Sequence, residues 1–332
     1  MAMAQHVRRG ADTVTLHHIR RAAERTRPYV RATPLVALVS SGLHLKAESL
    51  HPTGAFKLRG AFNAILSLSE AERGRGVVAH SSGNHAMAVA YAAARLGVKA
   101  TIVMPNDAPA LKIAGVQRWG ADLVVVGPAS DERADVADQL SRQHRYLPIP
   151  PYDAPQIVAA TGVIGLEILR DLPGVETVFA PVSGGGLISG LALALKRVKP
   201  SVRVVGVEPE VAADAFESFR AGRLVALPAE QMAMTSADGL RVRQMGALNW
   251  AIARNHVDEI IVVSEAAIQR TIALIAGEAR LVAEASGAVA AAGALASAAR
   301  PLGTSVAILS GGNIDPLLFA QAVAADVPGR LI

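Results

Sequence analysis

Short runs of valine and isoleucine alternate with amphipathic stretches of helical period through most of this chain, and that alternation limits the folds open to it. Gly76-Val77-Val78-Ala79, Ala100 to Met104, Leu123 to Val126, Thr177 to Val182, Val202 to Val207, Glu259 to Val263 and Ser305 to Leu309 read as strands. Asn84 to Leu96 and Pro109 to Trp119 read as helices closed by Gly97 and Gly120, and Asp131 to His144 as a third helix. The runs are apolar at successive positions and not only at alternate ones, the pattern of strands buried on both faces. Strands separated by helices of this length form parallel sheets. The expected class is therefore α/β, with parallel-rich twisted sheets flanked by helices. The Ala-rich stretch from Leu281 to Ala299 is interrupted by Glu284, Ser286 and Gly287, so it reads as a buried helix and not a membrane span.

Composition narrows the function classes. The chain has 332 residues, 51% of them hydrophobic, enough for a large core in two lobes. It has no cysteine, which excludes disulfides, thiolate catalysis and Cys-ligated metals. The net charge of +5 comes from scattered arginines, as in Arg8-Arg9, Arg20-Arg21 and Arg241 to Arg243, and aromatics are only 4%, so no nucleic-acid surface is expected. Met1 to Arg9 lacks the apolar core of a signal peptide, and no apolar stretch is long enough to span a membrane. A soluble, cytoplasmic protein with a small-molecule substrate is the expectation.

Chemistry concentrates where strand-like runs give way to helix-like ones. Lys57 lies in Ser49-Leu50-His51-Pro52-Thr53-Gly54-Ala55-Phe56-Lys57-Leu58-Arg59-Gly60, after an aromatic and at the start of a helix. A lysine there is badly placed as a solubilising charge. Burial would lower its pKa and free the amine to form a Schiff base. Ser183-Gly184-Gly185-Gly186-Leu187 lets successive backbone N–H groups turn toward one anion at a helix N-terminus. It is neither a Walker A loop, which ends in Gly-Lys-Ser/Thr, nor a dinucleotide fingerprint, since serine stands in place of the last glycine. Ser81-Ser82-Gly83-Asn84-His85 would alone be an ordinary helix cap, though the same geometry suits a carboxylate. Ser310-Gly311-Gly312-Asn313 would alone be a strand-ending turn. Glu208-Pro209-Glu210-Val211-Ala212-Ala213-Asp214 is oxygen-rich and suits Mg²⁺ or Ca²⁺, although a solvated acidic loop reads the same way.

In this order, from Arg31-Ala32-Thr33-Pro34-Leu35 to Ser310-Gly311-Gly312-Asn313, these segments resemble the fold type II pyridoxal-phosphate (PLP) enzymes, in the branch of serine/threonine dehydratases and serine racemase. The resemblance implies the two-domain, tryptophan synthase β-like architecture. Residues 1–54 and 150–332 would form a large PLP-binding domain and residues 55–149 a small one, with Tyr146 to Tyr152 as the crossing. It implies a Schiff base on Lys57, which would also move the Cα proton, with Phe56 beside the ring. The phosphate would lie on Ser183, Gly184, Gly185, Gly186 and Leu187, the 3′-oxygen on Asn84 and the pyridine nitrogen on Ser310. The substrate carboxylate would fall to Ser81, Ser82, Gly83, Asn84 and His85, with Ser82 the acid/base of racemases. Glu208, the Ala212 carbonyl and Asp214 match a divalent-cation site, Glu284 a residue near the ring, and Asp238 to Arg241 a stretch at the pocket mouth. The implied activity is β-elimination from an L-3-hydroxy amino acid by a homodimer. The alternatives are a racemase using Lys57 and Ser82, a β-replacement enzyme, and a non-catalytic PLP-binding protein. The departure is Ala86-Met87, where many relatives have Gly-Gln, and it bears on the substrate pocket. Arg241 or Arg243 could meet an acidic substrate side chain.

Overall fold

The computed structural model describes residues 14–127, 130–297 and 303–325. Met1 to Arg9 lies outside the described residues. Two sheets carry the fold. The larger joins β1 (Leu35–Ala37), β2 (His44–Ala47), β10 (Ser305–Leu309), β7 (Thr177–Pro181), β8 (Arg203–Pro209) and β9 (Glu259–Val263) in that order. Only β1 runs antiparallel, in a hairpin with β2. The smaller sheet joins β5 (Asp122–Val126), β4 (Ala100–Pro105), β3 (Val77–His80) and β6 (Leu147–Pro148), all parallel.

The apolar runs sit where their composition demands. Every residue of β4 and of β7 is buried, as in a sheet covered on both faces. Separate apolar clusters form around the two sheets, one including Leu58, Phe62, Met87, Ile102 and Val116, another Leu45, Phe179, Val207 and Leu309. Among the described residues, no helix is long and apolar enough to cross a membrane. The sequence missed β1 and β2, which are short and contain His44 and Lys46. It also extended the Ala-rich helix too far. Leu281 to Glu284 is not helical, Glu284 caps the helix Ala285–Ala296 in an extended conformation, and Ala299 lies outside the described residues. A carboxylate there opens the helix rather than interrupting it.

Three strands end at chemistry-bearing loops. β3 runs into Ser81-Ser82-Gly83, β7 into Ser183-Gly184-Gly185 and β10 into Ser310-Gly311-Gly312. Ligands of open parallel sheets bind outside the carboxyl ends of the strands, because there the loops and helix N-termini converge.

Lys57 begins the helix Lys57–Leu66, which a buried ionic cluster holds. Arg59 donates from Nε and Nη2 to both Glu48 oxygens at 2.7 and 2.8 Å. It donates from Nη1 and Nη2 to both Glu167 oxygens, also at 2.7 and 2.8 Å. Lys46 lies 2.7 Å from Glu167, and Thr33 donates to Glu48 at 2.6 Å. Burial works against the Glu48 charge, but Arg59 and His51 outweigh it and hold the carboxyl well below its usual range. Deleting one member strands its partners' charge away from water. Arg59→Met is accordingly expected to lose about 3–5 kcal/mol of unfolding free energy, measured by urea denaturation. A loss below about 1 kcal/mol, the range of an exposed pair, would refute this account.

Candidate active site

Backbone pairing brings the Lys57 and Ser310 segments together. Phe56 N–H donates to the Ser310 carbonyl at 3.0 Å, Gly312 N–H donates to the Gly54 carbonyl at 2.8 Å, and Ala55 bridges Gly311. Gly54 has φ +69°, and a Cβ on it would stand 2.3 Å from Asn313 Oδ1. Only glycine lets the two segments approach so closely. Ser310 is buried and its hydroxyl donates to the Ser286 carbonyl at 3.3 Å.

The Lys57 side chain keeps part of its surface open, yet its amine is enclosed. Nζ donates to the Pro151 carbonyl at 2.7 Å and lies 5.1 Å from the centre of the Phe56 ring. Burial, with no carboxylate to offset it, pushes the amine down to about 8. This is a lysine that gives up its proton near neutral pH.

The glycine loop is shaped by what crosses it. A Cβ on Gly184 would meet the Tyr152 ring at 2.5 Å, and one on Gly186 the Tyr152 carbonyl at 2.9 Å. Gly185 has φ +88°, and its Cβ would reach 2.6 Å from Met245. Asn249 Nδ2 donates to the Gly184 carbonyl at 2.6 Å and Thr161 to the Gly186 carbonyl at 2.7 Å, which turns the carbonyls inward. The first N–H groups of the helix Gly186–Val198 have no partner within the helix and no side chain caps it, so they are left for an anion.

The Ser81–His85 loop opens the helix Asn84–Leu96 without acting as its cap. Gly83 is the N-cap residue and no side chain caps the first turn of the helix. Ser81 Oγ accepts from Gly83 N–H at 3.1 Å. Asn84 Nδ2 donates to Glu284, and Asn84 Oδ1 accepts from Asn313 at 2.9 Å. Ser82 is half-buried at the turn. His85 is buried with Nε2 2.9 Å from the Ile149 carbonyl. Burial, then the Lys57 charge, pushes it down to about 3, so it stays a neutral imidazole.

Some residues of this centre were not assigned from the sequence. Pro151 and Tyr152 were taken only as part of a crossing, yet they touch Lys57 and the glycine loop. Lys112 contacts Asp238 and Glu284, and a Cβ on Gly83 would lie 3.1 Å from its Nζ. A signal for it existed. Lys112 and Val116 stand four residues apart within the helix, both buried, and that spacing puts them on one helix face. Arg241 and Arg243 do not reach into this cluster: they are exposed and donate to the Thr235 and Leu227 carbonyls.

Glu208 lies on β8 and Asp214 begins the helix Asp214–Ala221, both fully buried. Glu208 accepts from the N–H groups of Ala215 and Phe216 at 3.3 and 2.8 Å, while neither Asp214 oxygen has a hydrogen-bond partner. Burial, then the Asp214 charge, pushes Glu208 well up, and burial pushes Asp214 to about 7. Two repelling buried carboxyls, one of them with both oxygens unpartnered, fit a cation, although no group of three or more His, Cys, Asp or Glu among the described residues is placed to hold one.

The cradle, the free amine of Lys57 and the amide of Asn84 fit pyridoxal phosphate, and comparison with known proteins agrees. The family described as pyridoxal-phosphate dependent enzyme matches residues 21–311. The L-threo-3-hydroxyaspartate ammonia-lyase of Saccharomyces cerevisiae is 37% identical over 94% of this chain and 97% of its own length. The L-threonine ammonia-lyase of Thermotoga maritima is 41% identical over 91% of this chain and 76% of its own. The solved structure of maize serine racemase is 35% identical, with a TM-score of 0.87, over 94% of this chain and 98% of that one.

Because only a neutral amine attacks an aldehyde, the apoprotein should take up pyridoxal phosphate faster as pH rises, levelling above about pH 8. Stopped-flow absorbance reads the rate. A profile still climbing at pH 10 would mean that Lys57 retains an ordinary lysine pKa.

Proposed function

The chain belongs to the pyridoxal-phosphate dependent enzyme family, and from that premise we propose that it is a dehydratase (ammonia-lyase) converting an L-3-hydroxy amino acid to a 2-oxo acid and ammonia by β-elimination. The substrate is threonine, serine or a larger analogue. The observation that carries the reading is the Lys57 amine, pushed to about 8 within an enclosure that also touches the glycine cradle through Pro151 and Tyr152.

When bound, the cofactor supplies an electron sink beside the substrate's Cα. The chain supplies everything else. The N–H groups from Gly184 to Leu187, with Ser183, would hold its phosphate, Asn84 its ring oxygen and Ser310 its ring nitrogen. Ser310 presents a hydroxyl and not a carboxylate, so nothing there fixes a positive charge on that nitrogen. Lys57, once neutral, accepts the Cα proton, the β-hydroxyl leaves as water with a second proton, and the released enamine product takes up water to give the 2-oxo acid and ammonia. The uncapped turn at Ser81 to His85 receives the substrate carboxylate on its backbone N–H groups and on the Ser81 and Ser82 hydroxyls. His85 contributes its backbone, because its ring is committed to Ile149. Phe56, whose ring centre lies 5.1 Å from the amine, limits water there.

The yeast and Thermotoga relatives are by name ammonia-lyases of β-hydroxy amino acids. A second reading, racemisation with Lys57 and Ser82 on opposite faces, is supported by the likeness to maize serine racemase. The homodimer belongs to the same proposal, as does division into a large unit (1–54 and 150–332) and a small one (55–149).

Holoenzyme should release 2-oxo acid from one or more of a panel of L-3-hydroxy amino acids, and borohydride should label the Lys57 peptide. Lys57→Ala should lose at least about a thousandfold in kcat. Ser82→Ala should keep elimination of the L-substrate and lose any racemisation. Loss of both activities would place Ser82 on the elimination path instead.

We assign Glu208, the Ala212 carbonyl and Asp214 to a structural or activating divalent cation. Mg²⁺ or Ca²⁺ should raise the melting temperature, EDTA should reverse the rise, and Asp214→Asn should abolish it. A shift that survives Asp214→Asn would move the cation elsewhere.

A further inference from the structure

Lys112 is a buried cation that the proposed reaction does not use. It lies on the helix Ala110–Arg118, which packs with the smaller sheet, and its side chain is 3% exposed. Both of its carboxylate partners belong to segments of the larger sheet's core. Asp238 sits in the turn Asp238–Leu240, whose Leu240 joins that core, and Glu284 caps the helix Ala285–Ala296. Lys112 Nζ donates to Asp238 Oδ2 and lies 3.4 Å from Glu284 Oε2. Glu284 uses its other oxygen to accept from Asn84 Nδ2. The Lys112 stem also covers Gly83, where a Cβ would stand 2.9 Å from its Cδ.

We propose that Lys112 is a positioning residue of the active site, whose ammonium ties the Ser81–His85 loop to the opposite core and, through Glu284, sets the orientation of the Asn84 amide. The proposal rests on the reading of this centre given above.

The geometry leaves the loop few other constraints. Its helix has no side-chain cap, and the Asn84 amide is held by Glu284 on one side and Asn313 on the other. The Asn313 contact fixes Asn84 Oδ1, so the Glu284 contact decides which way Nδ2 points. Lys112 holds Glu284 in that place against the repulsion of Asp238, which faces the same ammonium. Burial, countered by Lys112 and reinforced by Asp238, leaves the Glu284 carboxyl at about 7. Lys112 remains charged although burial opposes it, because Glu284 and Asp238 outweigh that cost and raise its pKa. One ammonium thus joins the substrate-carboxylate loop, the cofactor-binding amide and both cores.

The test compares holoenzyme carrying Lys112→Met, Lys112→Arg and Lys112→Met with Glu284→Gln. Lys112→Met should raise KM roughly tenfold or more with a smaller fall in kcat, since it loosens the carboxylate loop. It should also shift the absorbance of bound pyridoxal phosphate and weaken its Kd, because Asn84 is freed to turn. Lys112→Arg should restore most of both. Unchanged KM and absorbance in Lys112→Met would overturn the proposal. So would their full recovery on adding Glu284→Gln, for the defect would then be only an uncompensated buried charge. If Lys112→Met does not fold, Asp238→Asn decides: a raised KM and altered absorbance support the proposal, and wild-type values overturn it. Wild-type holoenzyme that binds the cofactor but releases no 2-oxo acid would count against the proposed reaction alone. Cofactor absorbance and Kd would still score Lys112.

Discussion

The guanidinium of Arg59, gripped on both edges by buried carboxylates, fixes the element on which the chemistry depends. Lys57 is two residues earlier on the same helix, and two residues turn a helix by about 200°. The two side chains therefore leave on nearly opposite sides, one into the ionic cluster and the other into the enclosure at Pro151. Lys46, Glu48 and Glu167 reach that cluster from β2, from the turn after it and from the helix Pro155–Asp171. Four buried charges that sum to zero are worth little as net stability, because desolvation offsets most of the attraction. Their value is geometric: a paired guanidinium has one acceptable orientation, so the helix carrying Lys57 has one acceptable position.

Buried charge in this protein sorts into two kinds. In the Arg59 cluster every carboxylate faces cations, and Glu48 is held low. At three other groups burial wins. Lys57 falls to about 8, while Glu284 and Asp214 rise to about 7. The first kind is finished within the chain. The second is left incomplete, and such groups collect where a protein binds something. The Lys57 amine donates to a carbonyl, and among the described residues neither Asp214 oxygen has a hydrogen-bond partner. The anion cradle follows the same logic without any charge, since unpaired N–H groups at a helix start are the backbone's own electropositive end.

The loops after β3 and β10 meet through Asn84 and Asn313, and β7 pairs in parallel with β10, so its loop opens at the same edge of the sheet. Side-chain contacts then cross between the cores: Asn84 with Asn313, and Lys112 with Asp238 and Glu284. A polar chain therefore links the substrate loop of one sheet with the strand-ending turn of the other.

Much of this was legible in the amino-acid order. Continuous apolar runs gave the parallel strands, glycine endings gave the helix stops, and Lys57 and the Ser183–Leu187 loop stood out because their residue types suit amines and anions better than packing, whereas Ser81 to His85 alone reads as a helix cap and gained a role only from the family resemblance. Those are local properties, governed by backbone sterics and burial tendency over a few residues. The strands β1 and β2 were not legible, for their pattern is too short and includes His44 and Lys46. Nor was the Glu284 helix start, since a carboxylate within an Ala-rich run reads as an interruption until its extended backbone is seen. The partners of Lys112, Arg59 and Pro151 were also hidden. Arg59 meets Glu167 across 108 positions and Lys112 meets Asp238 across 126, and a pairing at such separation is settled only when packed cores fix which buried charge is near which.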